Sequence, residues 1–114
     1  MRWMLEADRL RLADIVQRID LILGWVGGLD ETSFMADMRT RDATALNIQL
    51  IGETARRLSD EVKARAPDIP WSAIVALRNR IAHGYETVDH LLVWRIVQDD
   101  LPALRAAVSR LGIV

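Results

Sequence analysis

Apolar residues return every three or four positions along nearly the whole chain, and only helices can gather residues so spaced onto one buried face. Over the first segment Leu5, Leu12, Ile15, Val16, Ile19, Ile22, Leu23 and Val26 keep this period until Gly27-Gly28 ends it. Leu10, Leu21 and Trp25 form a second apolar line off that stripe. Helix one therefore has two sides to cover, either by a wide core face or by a subunit contact. Asp30 and Thr32 or Ser33 offer caps for a short helix through about Asp37, with Arg39-Thr40-Arg41 as a junction. From about Asp42, the spacing of Ile48, Ile51, Ala55, Leu58 and Val62 predicts a second long helix to about Arg65.

The segment 66–70 reads as a loop, with Asp68 near a capping position and Pro70 suited to a first helical turn. Pro70 opens the third helix, and Glu86-Thr87-Val88-Asp89 supplies turn and cap residues after it. Trp94, Val97, Leu101, Leu104, Val108 and Leu111 mark the last helix. Pro102 lies inside it and has no N–H for the carbonyl of Gln98, which predicts a kink or break where Asp99 and Asp100 could cap a new start. No strands or repeats are expected. The architecture is an all-α bundle of four main helices plus a short one, in one domain spanning 1–114.

Composition narrows the function classes. A chain of 114 residues can bury a core without staples, and it has no cysteine for disulfides or thiolate metal sites. The net charge of −1 makes the chain as a whole a poor polyanion binder, so any nucleic-acid contact needs a local basic surface. The apolar run from Ile19 to Val26 is too short to span a bilayer, and Glu6, Asp8, Arg9 and Arg11 interrupt any leader pattern. A cytoplasmic protein without a membrane partner is expected.

The chemistry gathers at Arg78-Asn79-Arg80-Ile81-Ala82-His83-Gly84-Tyr85. On a single helix opened by Pro70, the residues Trp71, Ile74, Val75, Ile81, Ala82 and Tyr85 fall within roughly 60° of a line through Arg78. A guanidinium so placed needs an acidic partner or a bound anion, and Glu53 of the preceding helix could be that partner. His83 is rotated about 140° from Arg78, with Asn79 one turn before it. One straight helix cannot aim both at one atom, so either Gly84 ends the helix and lets His83 swing round, or two copies of the chain share a site. The blander readings are an interhelical ion pair for Arg78, a helix-terminal position for His83, and a ring completing the apolar stripe for Tyr85. Arg78 can hold a phosphate by paired hydrogen bonds and His83 can move a proton near neutral pH, roles that suit RNA cleavage without metal. Converging carboxylates, a glycine-rich phosphate loop and a nucleophile beside a histidine are all missing, and the spacing of His83 and His90 is poor for zinc.

In its full form, Arg-Asn-x-x-x-His-x-Tyr, the motif resembles that of the HepT-like ribonucleases of the HEPN superfamily. Ile51-Gly52-Glu53, Trp71, Val88-Asp89, and Trp94 with Leu101-Pro102 extend the resemblance over most of the chain from about Asp42. It implies a HEPN-like fold and a toxin ribonuclease acting as a homodimer, with Arg78 and His83 of both chains lining one cleft and Asn79 in support. No cofactor is implied. It also implies a small nucleotidyltransferase antitoxin of the MntA type as partner, with Tyr85 as acceptor of AMP groups. Negative charge attached two residues from His83 would occupy the place of RNA and repel its backbone. The rival reading is a non-catalytic HEPN helical subunit that binds nucleotide or substrate for a nucleotidyltransferase, with Arg78 as phosphate clamp only; a third is a purely structural dimerisation bundle.

Overall fold

The computed structural model of the protein describes residues 3–83 and 87–113, His83 by its backbone alone. Helix α1, Glu6–Val26, buries Leu12, Ile15, Val16, Ile19, Ile22 and Val26. It ends where predicted, because Gly28 takes the left-handed conformation (φ 83°) that an L side chain resists. Helix α2, Glu31–Ala36, starts in a reciprocal capping box between Asp30 and Ser33. Its one buried side chain, Phe34, meets Trp94 at a centroid distance of 5.1 Å.

Helix α3, Met38–Arg56, begins earlier than the apolar period suggested. Asp37 accepts from the Thr40 amide at 3.1 Å, so Arg39, Thr40 and Arg41 form a first turn and not a junction. The predicted long helix also breaks near Ser59, and a separate helix α4, Asp60–Arg65, follows. The cause is a carboxylate from α1. Asp8, only 2% exposed, accepts from the Ser59 amide at 3.0 Å and its hydroxyl at 2.7 Å, while Ser59 caps α4. Leu58 and Val62 keep helical spacing across the break, which hid it from the apolar pattern.

Helices α1 and α3 run antiparallel, as the contacts of Asp14 with Thr54 (3.2 Å) and Arg18 with Asn47 (2.8 Å) require. Against them pack α5, Trp71–Val75, and α6, Leu77–Ile81. The chain then becomes extended. Strands β1, Ala82–His83, and β2, Thr87–Val88, pair antiparallel, with Ala82 opposite Val88 and His83 opposite Thr87. This small ladder corrects the expectation of no strands.

The last helical run is continuous in space: α7 (His90–Arg95), a π-helical turn (Ile96–Asp100) and α8 (Leu101–Ser109). Pro102 neither breaks nor caps it. The turn before it widens, with the Leu101 amide bonding to the Ile96 carbonyl, so the chain absorbs the lost donor by a π turn. Asp100 makes no side-chain cap; it stands 3.8 Å from Arg80. Arg105 of α8 grips Asp20 of α1 through two bonds of 2.6 and 3.1 Å. Four main helical segments, α1, α3, α5–α6 and α7–α8, with short α2 and α4, make the expected all-α bundle. Among the described residues no helix is long and apolar enough to cross a membrane.

Candidate active site

The motif helix departs from the straight helix expected from its sequence. Ala76 (φ −83°, ψ 4°) interrupts it between α5 and α6, and the buried positions are Ile74, Leu77 and Ile81. Leu77 is therefore the centre of the stripe, and Arg78 beside it is exposed. Packing against α3 sets this rotation. A Cβ on Gly52 would stand 3.0 Å from the Ile74 carbonyl oxygen and 3.5 Å from the Leu77 Cβ, so only glycine lets α5–α6 come this close.

Arg78 and Asn79 both face solvent, and among the described residues Arg78 has no hydrogen bond or ion pair. The acidic partner considered for it is engaged elsewhere: Glu53 accepts from Arg56 at 2.9 Å on its own helix. Asp68 likewise caps nothing and pairs with Arg110 at 2.8 Å. An unpaired, exposed guanidinium beside an asparagine is free to meet a phosphate.

Helix α6 stops at Ile81, earlier than a stop at Gly84 would have placed it, so His83 lies on extended backbone and the 140° rotation of a continuous helix does not apply. The strand is tied back at once: the Asp89 amide donates to the Ile81 carbonyl at 2.6 Å. Arg78 and Asn79 on α6 and the backbone of His83 two residues past its end are thus held on one short unit. Gly84 and Tyr85 lie outside the described residues, as does the His83 side chain.

His90 is a second histidine at this joint, which its sequence spacing from His83 presented only as a poor zinc ligand. Asp89 caps α7 by accepting from the Leu92 amide at 3.0 Å, and His90 follows at the first helical position, largely buried against α3. Its Nε2 lies 3.7 Å from an Asp42 carboxylate oxygen, while its Nδ1 is buried without a partner. Arg41 Nε and Thr44 Oγ1 of α3 are buried and unpartnered too. Burial, and then the nearby Arg41 charge, hold the His90 imidazole below its ordinary value of 6.5 against the opposing pull of Asp42 and Asp89.

A cavity of about 420 Å³ opens between α5 and α8, lined by Ile69, Pro70, Ala73, Ile74, Leu104 and Ala107 among others. It touches Arg80 but not Arg78, and lies apart from the exposed Arg78–Asn79 face.

Residues 14–111 match the family model described as "Ribonuclease HepT-like", which takes in most of α1 as well as the motif. The chain is 29% identical to "Putative RNase MJ1380" of Methanocaldococcus jannaschii, over 86% of this chain and 90% of that protein. It is also 29% identical to "Probable ribonuclease HepT" of Thermococcus cleftensis, over 88% of this chain and 91% of the other. No solved structure matches it significantly. With the family model covering most of its length, the chain belongs to the HepT-like ribonuclease family.

Proposed function

We propose that the chain is a single-domain, metal-independent endoribonuclease that acts as the toxin of a toxin–antitoxin pair. Family membership supplies the reaction class, and the observation that carries the assignment to residues is Arg78, exposed beside Asn79 and unpaired among the described residues. Arg78 binds the scissile phosphate and neutralises charge on the phosphorane, with Asn79 in support. His83 moves the proton. The ribose 2′-oxygen attacks phosphorus, the bond to the 5′-oxygen breaks, and the leaving oxygen takes up a proton. The products are a 2′,3′-cyclic phosphate and a 5′-hydroxyl.

The working unit is a homodimer in which two copies of the motif line one cleft. Leu10 (55% exposed), Leu21 (44%) and Trp25 (39%) on α1, with Leu46 (56%) on α3, support a subunit contact over the alternative of a wide core face. The partner is a small nucleotidyltransferase of the MntA type. It silences the toxin by transferring AMP from ATP to the Tyr85 oxygen, with release of pyrophosphate.

RNA incubated with the purified protein in EDTA is expected to be cut and to end in 2′,3′-cyclic phosphate. Strict dependence on magnesium or manganese would reject the metal-free mechanism; no cleavage under any condition would favour the non-catalytic subunit. With the nucleotidyltransferase and ATP, intact mass of the wild type should rise by AMP increments while Tyr85→Phe stays unchanged. Equal labelling of both would place the acceptor elsewhere.

A further inference from the structure

We propose that His90 is a positioning residue for the His83 strand: neutral, it seats the start of α7 on the first turn of α3, and protonated, it loosens that joint and weakens cleavage on the acid side. The activity arm of this proposal rests on the ribonuclease reading above; the joint itself rests on geometry.

The segment carrying His83 leaves α6 and returns to α7 through one point. Ile81 accepts from the Asp89 amide at 2.6 Å, Ala82 and His83 pair with Val88 and Thr87, and Asp89 caps the helix that His90 begins. These bonds tie the end of α6, the strand pair and the first turn of α7 into one unit. His90 is where this unit meets α3. Its Nε2 faces Asp42 at 3.7 Å, and its ring lies near Arg41, whose Nη1 donates to the Met35 carbonyl of α2 at 3.0 Å.

Protonation changes what this joint must hold. A neutral imidazole can leave Nδ1 as a lone pair, whereas the cation carries N–H on both nitrogens. One of those N–H groups would then be buried with no acceptor, in a ring already near the Arg41 charge. The position at the positive end of the α7 helix run adds to this cost. The charged groups acting on the ring are Arg41 and Asp42 from α3 and Asp89 preceding α7. Asp42 is 60% exposed, so solvent screens its attraction, and burial with Arg41 prevails.

Because the folded state holds His90 below its ordinary 6.5, stability from this joint is full above that pH. It is lost as pH falls from there through the lowered folded-state value.

The chain has two histidines, so NMR titration of the imidazole protons can follow each separately. His90 should titrate below 6.5, and the His83 signals should show a second inflection at the His90 midpoint that disappears in His90→Gln. In RNA cleavage, the acid limb of kcat against pH should be steeper in the wild type than in His90→Gln, which has nothing to titrate at position 90. Near neutral pH, His90→Ala should lower kcat by about tenfold or more through misplacement of His83, with glutamine restoring part of the loss. KM should change by less than about twofold, since phosphate binding through Arg78 is untouched. A His90 that only packs would lower the melting temperature yet leave the profile's shape and the His83 titration unaltered, and that result overturns the proposal. If the wild type cleaves no RNA at any pH, the ribonuclease reading fails, while the NMR coupling between the two histidines still decides the inference.

Discussion

At the scale of single residues, side chains and missing side chains fix helices that periodicity only outlines. Asp8 is buried and spends both oxygens on Ser59, so Asp8→Ala strands a half-buried amide and hydroxyl; denaturant unfolding should show a loss of about 1–3 kcal/mol. Asp8→Asn should recover part of it, whereas full stability in Asp8→Asn would mean the contact lacks charge assistance. Gly52→Val places a side chain against the Ile74 carbonyl, a backbone atom that cannot rotate away. We expect about 1–3 kcal/mol of destabilisation, and unchanged stability would show that α5 does not approach α3 as closely as described. Gly52 was legible in the sequence through the Ile51-Gly52-Glu53 resemblance. The Asp8–Ser59 contact was not, because its partners stand 51 residues apart and a carboxylate near a chain start has no pattern of its own.

Among the elements, the seam between α1 and α3 is polar on its outer edge. Arg18 donates to Asp14 at 3.0 Å and to Asn47 at 2.8 Å, and Thr54 closes the network onto Asp14. The Arg18 side chain is 28% exposed, so Arg18→Met should cost only about 1 kcal/mol by thermal or urea unfolding. A loss several times larger would mean the network clamps the two helices more strongly than a part-exposed set of bonds can. Periodicity predicted α1 closely, because it buries one uninterrupted stripe. It failed for the motif helix for a definable reason. Leu77 was left out of the stripe, Ala76 breaks the helix without any glycine or proline to signal it, and the line drawn through Arg78 belonged one residue earlier. That same error made Arg78 a charge in need of an internal partner, when the fold turns it out to solvent. The break before α4 and the π turn before Pro102 were likewise settled by hydrogen-bond partners from neighbouring turns and helices.

For the whole molecule, the residues assigned to chemistry were readable from the motif, while their arrangement depends on tertiary contacts. Ile81 and Asp89 close the strand pair, and His90 seats it on α3, neither of which local spacing encodes. Dimerisation belongs to this scale. Leu21→Glu combined with Trp25→Lys puts charge on exposed positions of α1, so the fold should survive while light scattering shows a monomer. That monomer should cleave RNA poorly, and a fully active monomer would remove the shared cleft from the account.

End-point mapping of RNA cleaved by purified wild type, Arg78→Ala and His83→Ala in EDTA measures whether Arg78 and His83 carry the reaction. Neither substitution removes a core side chain described as buried, so all three proteins should give the same helical circular dichroism. The wild type should leave cyclic phosphate ends, and each variant should lose at least about a hundredfold in rate, the scale expected when a positioned proton-transfer group or charge stabiliser is removed. Cleavage by His83→Ala at the wild-type rate, with the same end groups, would contradict the assignment of the reaction to these residues.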